Sequence, residues 1–222
     1  MENNENMNVE QEVRSLPRIG SPAPQFEAVT THGTIRLEDY KGSWLILFSH
    51  PADFTPVCTT EFIAFQNIYP RLKALNTELL GLSIDSVYSH IAWVRNIEEK
   101  MGVKIEFPVI ADLNKDVANK YGMIMPGEST TETSRAVFII DDKQIVRAII
   151  YYPLTTGRNM DEILRVVEAL QTSDAKGVAT PANWKPGDKA IVPPPQTQEM
   201  AEERVNEQNV ECIDWYFCKK DI

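Results

Sequence analysis

Apolar positions along the chain fall into short runs and alternating strings at 44–50 (WLILFSH), 78–84, 106–112, 136–141 and 144–152, which predict β-strands. Between them the spacing changes to that of helices. Phe62, Phe65, Tyr69 and Leu72 share one face of a helix predicted over 59–75, with Pro56 as its first helical residue. Helices are also predicted over 88–102 and 114–122, each closing on a glycine, and over 159–170, where Asn159 is the N-cap and Glu162 nearly completes a capping box. Asp141-Asp142-Lys143 supplies a turn between the last two strands, and an earlier hairpin turns at His32-Gly33. Strand, helix, strand, helix, strand, helix, hairpin, helix is the order of an α/β fold with parallel crossovers and an antiparallel edge.

The pattern fades after Leu170. Proline and polar residues dominate 171–208, yet Trp184, Ile191-Val192 and the closing "CIDWYFC" are costly to leave in water. This segment is expected to pack on a second subunit. The opening "MENNENMNVEQEVRS" is polar and acidic, without a secretory signal's basic and apolar regions, and is expected to be a flexible tail on a cytoplasmic protein.

Composition narrows the function. An apolar fraction of 43% in 222 residues supports a real core. A net charge of −10 argues against nucleic acid or an anionic membrane as partner, and no apolar run reaches membrane-spanning length. Three cysteines, Cys58, Cys212 and Cys218, cannot form a disulfide scaffold, and His32, His50 and His90 lack zinc-finger spacing. No haem, flavin or catalytic metal is called for.

Cys58 carries the chemistry. Strand 44–50 delivers the chain to a loop, Thr55 takes the N-cap position, and Cys58 falls in the first helical turn. Free N–H groups and the positive end of the helix dipole favour the thiolate there, the form that reacts. A buried, inert cysteine under the helix is the plain alternative.

The residues around it decide between these. "PADFTPVCTTEF" contains Pro-x-x-x-Thr-x-x-Cys, Pro51 to Cys58, and resembles the site motif of the peroxiredoxins. "GLSIDS", "FPVIAD", "SRAVFIID" and "YYPLTTGRNMDEILRVVEALQ" are similar to the one-cysteine-type subgroup. "ANWKPGD", "IVPPP" and "CIDWYFCKK" resemble its archaeal and bacterial members with extra C-terminal cysteines. The resemblance spans Ile19 to Lys220. It implies a flexible tail (1–18), a thioredoxin-like core with a central mixed sheet flanked by helices (19–172), and a C-terminal extension domain (173–222).

For the site the resemblance implies that Cys58 attacks peroxide, Thr55 hydrogen-bonds it and Pro51 shields the thiolate. Arg135 would stabilise developing negative charge, with Glu61 as an orienting carboxylate. His50 and Arg158 are further candidates for contact with bound peroxide. Read alone, Glu61 is ordinary helix surface, Arg135 a surface charge, Arg158 a charge at a helix start and His50 a half-buried histidine. The implied partners are a thioredoxin-like or other thiol reductant and a second copy of the chain, in dimers and in a ring of five dimers. Relatives with this ending also imply that Cys218 resolves the oxidised Cys58 of the partner, with Cys212 auxiliary and able to exchange into a Cys212–Cys218 disulfide.

Three rival readings fare worse. A lipid hydrolase would need Gly-x-Ser-x-Gly, and the aligned stretch reads Lys41-Gly42-Ser43-Trp44-Leu45. A disulfide carrier would need Cys-x-x-Cys, but Thr59, Thr60 and Glu61 follow Cys58. The third is non-enzymatic, a chaperone-like ring or a redox sensor that uses Cys58 as a switch; the sensor shares the thiolate requirement and differs by oxidising once instead of turning over.

Overall fold

The computed structural model describes residues 16–222, so the predicted tail lies, apart from 16–18, outside the described residues. Seven strands form one mixed sheet in the order β2-β1-β5-β4-β3-β6-β7. They are β1 (Glu27–Thr30), β2 (Gly33–Arg36), β3 (Trp44–Ser49), β4 (Thr77–Ser83), β5 (Val109–Ala111), β6 (Arg135–Ile140) and β7 (Val146–Tyr152). β3, β4 and β5 run parallel; β6 returns antiparallel to β3, and β7 to β6. Helices α1 (Pro56–Ala74), α2 (Val87–Met101), α3 (Asp116–Lys120) and α4 (Met160–Lys176) link or follow the strands.

β3 is buried along its whole length, and its alternating side chains serve two cores. Ile46 and Phe48 join Phe62, Phe65, Trp93 and Leu164 from α1, α2 and α4 on one face. Leu45 and Leu47 join Leu37, Tyr121 and Phe138 on the other. A continuous apolar run is what a strand covered on both faces requires.

The differences from the sequence pattern have local causes. The strand predicted over 106–112 pairs only over Val109–Ala111, because Pro108 has no N–H to give to the ladder. The last hairpin turn is longer than Asp141-Asp142-Lys143 and runs to Ile145. Asp141 accepts the N–H groups of both Lys143 and Ile145 through Oδ1, and Gln144 takes φ 63°. Helix α4 passes residue 170 and ends only at Gly177, whose φ of 60° suits a left-handed cap.

The segment after α4 holds more regular structure than its composition predicts. It contains α5 (Gln198–Arg204) and a three-stranded sheet of β8 (Ala190–Ile191), β9 (Glu211–Asp214) and β10 (Phe217–Lys220), in the order β8-β10-β9. These elements are two to seven residues long, too short for a periodic signal to accumulate. Trp184 anchors the segment, buried, with its indole N–H donating to the Asp188 carbonyl at 3.0 Å. No helix among the described residues is long and apolar enough to cross a membrane.

Phe48 is the packing centre below the loop that carries the site. Its ring stacks on Phe65 at 4.0 Å and meets Phe62 and Phe107 edge-on, each at 5.6 Å. Phe48→Ala should therefore cost about 3–5 kcal/mol in urea unfolding. A loss under about 1 kcal/mol would show that the cluster does not carry the core.

Candidate active site

The site forms where β3 ends and α1 begins, against the first residue of β6 and the loop before α4. Thr55 is extended, as an N-cap residue must be, but its side chain does not cap. Its Oγ1 donates to the Ala52 carbonyl at 2.9 Å instead, so the hydroxyl closes the loop and keeps its lone pairs. The first helical N–H to find a carbonyl is that of Thr59, on Thr55 O at 3.0 Å. Pro56 has no N–H, so those of Val57 and Cys58 remain at the positive end of α1 without helical partners. Pro51, in the loop between β3 and α1, is buried. Phe54 takes φ 55°, an unusual backbone for a bulky residue, and stands exposed at the rim. Its strain is held on both sides, by Asp53 N–H donating to Asp85 at 3.0 Å and by the Thr55 bond.

Cys58 is a free thiol with no exposed surface. Arg135 Nη1 points at its Sγ from 3.4 Å and donates to Glu61 Oε2 at 2.7 Å. The rest of that guanidinium is fixed by the Leu154 carbonyl, which accepts from Nε at 2.9 Å and Nη2 at 2.7 Å. Arg158 grips Glu61 from the other side. Its backbone N–H and Nε donate to Oε1 at 2.9 and 2.8 Å, and its Nη2 donates to Oε2 at 2.8 Å. Its Nη1 is held by the carbonyls of Ser49 and Ala136, both at 2.9 Å. The guanidinium also lies over the rings of Phe48 and Phe65.

Glu61 is therefore no surface residue. It is a buried carboxylate held by two buried arginines. Burial pushes its carboxyl up, but attraction and hydrogen bonds from Arg158, with attraction from Arg135, outweigh that and hold it below the usual carboxylate range. Burial pulls Arg158 below its ordinary value, with Glu61 opposing. Two cations and one anion leave an excess of one positive charge beside the sulfur.

His50 is fully buried rather than half-buried, between Phe62 and Trp93. Its Nε2 lies 3.0 Å from Asp53 Oδ1, and its Nδ1 has no partner among the described residues. Burial, working against the attraction of Asp53, holds the imidazole below its ordinary value and so neutral. Asp53 also meets His90 Nδ1, at 2.8 Å through Oδ2, and His90 Nε2 faces the Ile110 carbonyl at 3.0 Å. Both ring nitrogens of His90 thus face oxygen atoms. His50, Asp53 and His90 bring ligand-capable atoms within 4.8 Å of one another and are, among the described residues, the grouping able to hold a metal ion. Asp53 and His90 escaped the sequence reading. Position was the available signal, since His90, Trp93 and Ile97 share the buried face of α2.

Of the residues singled out in the sequence, Cys58, Thr55, Pro51, Glu61, Arg135, Arg158 and His50 converge here. Cys212 and Cys218 meet elsewhere, paired across β9 and β10 and joined as a disulfide.

Comparison with known proteins agrees with this geometry. Residues 19–149 match the AhpC/TSA family, and residues 169–208 match the C-terminal domain of 1-Cys peroxiredoxin. A peroxiredoxin of Aquifex aeolicus is 60% identical over 222 residues, covering 95% of this chain and all of that one. The structure of a yeast mitochondrial 1-Cys peroxiredoxin superposes with a TM-score of 0.83 at 41% identity, covering 93% of this chain and 100% of its own. A cysteine-to-serine variant of peroxiredoxin 6 from Arenicola marina gives a TM-score of 0.82 at 39% identity, over 92% and 97% of the two chains. A thioredoxin-like fold with a reactive-site cysteine at the head of its first long helix defines the class, thiol peroxidases. The chain belongs to the peroxiredoxins.

The buried clamp has a pH signature. A carboxyl held below its ordinary range stabilises the fold above about pH 4.3, and that contribution is lost as pH falls through its depressed folded value. Glu61→Gln should unfold about 3–5 kcal/mol more easily at pH 7, with two guanidiniums left short of their anion. Its stability should also fall less steeply than wild type on acidification below pH 4. Parallel acid profiles for the two proteins would mean that Glu61 is not the ionised partner of these arginines.

Proposed function

We propose that this protein reduces hydrogen peroxide and organic hydroperoxides to water and alcohols by attack of Cys58, and is recycled by a thioredoxin-type dithiol. The observation that carries this reading is Arg135 Nη1 at 3.4 Å from a buried Cys58 Sγ that sits at the open end of α1. The thiolate attacks one peroxide oxygen in line with the O–O bond. That bond breaks, Cys58 becomes a sulfenic acid, and the second oxygen leaves as water or alcohol after taking a proton. Arg135 and the N–H groups of Val57 and Cys58 are placed to meet the negative charge that develops on the leaving oxygen. Thr55 has a hydroxyl to offer the peroxide, Pro51 keeps water from the sulfur, and His50 and Arg158 line the site behind it.

Resolution needs a second thiol. In this reading Cys218 of the partner subunit attacks the sulfenic sulfur, and Cys212 then exchanges to give the Cys212–Cys218 pair. Cys58 lies under Arg135 and Glu61, so its helical turn must open before another sulfur can approach. The yeast mitochondrial relative is described as resolved via glutathione/thioredoxin systems, which favours a thiol donor here as well. The exposed apolar residues Ile213, Trp215 and Tyr216 favour a dimer that exchanges its extensions, and the family resemblance extends that to a ring of five such dimers.

Cys58→Ser should abolish peroxide consumption with dithiothreitol as donor while the protein stays folded. Arg135→Ala should slow it by orders of magnitude. Full turnover in the serine variant would end the peroxidase reading. After one equivalent of peroxide, Cys212→Ser should run as a covalent dimer on non-reducing electrophoresis and Cys218→Ser should not. Dimers that persist in Cys218→Ser would make Cys212 the resolving cysteine.

A further inference from the structure

The two sulfurs of the C-terminal disulfide are not equivalent. Cys212 lies on β9, at the free edge of the small sheet, whereas Cys218 lies on β10, which is paired on both sides by β8 and β9. Cys218 is 1% exposed, and its Sγ sits 3.4 Å from the Asp214 carbonyl oxygen under the hairpin turn. Cys212 is only half-buried, next to Ile213, which is 82% exposed. Thiol–disulfide exchange requires the attacking sulfur to approach in line with the S–S bond, from behind the sulfur it attacks. Cys218 offers almost no surface for that approach, whereas Cys212, whose Sγ lies 3.7 Å from the Arg204 carbonyl, keeps part of its surface in solvent. Cys58 has no exposed surface in the folded turn, so a protein thiol reaches it only when that turn opens.

From this asymmetry we propose that a dithiol reductant protein delivers its electrons at Cys212, and that the hairpin relays them to Cys58. The proposal rests on the peroxidase reading of Cys58, which supplies the oxidising equivalents. Loading begins when the partner's Cys218 thiolate attacks sulfenic Cys58, forming a disulfide and releasing hydroxide. Cys212 of the same hairpin then attacks Cys218 Sγ, which forms Cys212–Cys218 and frees the Cys58 thiolate for the next peroxide.

Unloading starts at the exposed sulfur. A thiolate of the reductant attacks Cys212 Sγ, the Cys212–Cys218 bond breaks, and the electron pair leaves on Cys218 Sγ. That sulfur takes up a proton and donates it to the Asp214 carbonyl 3.4 Å away, which holds the reduced side chain in place. The reductant's second thiol attacks its own first sulfur in the mixed disulfide, releasing Cys212 and leaving the reductant oxidised. Two electrons and two protons pass from the dithiol to the pair.

The free edge of β9 also suits the partner. Its unpaired backbone groups can take an extended segment of the reductant in β-pairing.

The test uses a thioredoxin whose second active-site cysteine is replaced by serine, so that the mixed disulfide cannot resolve. The probe is mixed with peroxide-treated wild-type protein, and the adduct is located by peptide mass spectrometry. Dimedone labelling of sulfenic Cys58 is measured alongside in the Cys212→Ser/Cys218→Ser double variant, where no hairpin thiol can consume it. The expected result is the probe on Cys212, at least tenfold over Cys218 and Cys58, with Cys58 labelled by dimedone. Labelling intact with the probe on Cys218, on Cys58 or on neither hairpin cysteine overturns the relay alone. Absence of dimedone labelling overturns the peroxidase reading and the relay with it.

Discussion

One carboxylate holds this site together. Glu61 is gripped on both oxygens by guanidiniums that are themselves almost wholly buried, and neither cation could stand in that interior without it. The clamp ties four parts of the chain to one point: α1 through Glu61, the start of β6 through Arg135, the loop before α4 through Arg158, and the end of β3 through the Ser49 carbonyl. Since Arg135 uses one nitrogen for both Glu61 and Cys58, the geometry of the ion pair is also the geometry of the reactive sulfur. Burial makes the arrangement stiff. The same burial keeps competing water away from the charge it presents.

Stiffness at the site and mobility of the second thiol pull in different directions. Cys58 has no exposed surface in the folded turn, so the proposed attack by a second sulfur requires the turn to open. The strained backbone at Phe54 and the unpaired first N–H groups of α1 place the weakest part of the helix where that opening is needed. The long body of α1 meanwhile stays anchored by Phe62, Phe65, Tyr69 and Leu72. The hairpin disulfide between Cys212 and Cys218 lies outside this cage, on β9 and β10.

Much of the fold was legible because its signals are dense. β3 is an unbroken apolar strand, α2 ends on a glycine with positive φ, and Asn159 caps α4 as its position suggested. The small C-terminal sheet was not legible, since its strands span two to four residues and pair across a proline-rich segment. At the site, the Pro-x-x-x-Thr-x-x-Cys motif located Cys58, Thr55 and Pro51. Glu61 and Arg158 look like surface charges in any local window, and only tertiary contact between α1, β6 and the loop before α4 buries them together. His90 and Asp53 were hidden for the same reason: they are 37 residues apart and meet only across the packed layers.

If Glu61 acts on the chemistry by holding Arg135 against the sulfur, the two residues must be energetically coupled. The direct measurement is a double-mutant cycle on the single-turnover rate of Cys58 oxidation, comparing wild type, Glu61→Gln, Arg135→Lys and the double variant under one equivalent of peroxide. Each single change should slow oxidation, and the double variant should be little slower than Arg135→Lys alone, with a coupling of about 1–3 kcal/mol. Rate losses that simply multiply would contradict the clamp, because they would show Glu61 and Arg135 acting on Cys58 independently.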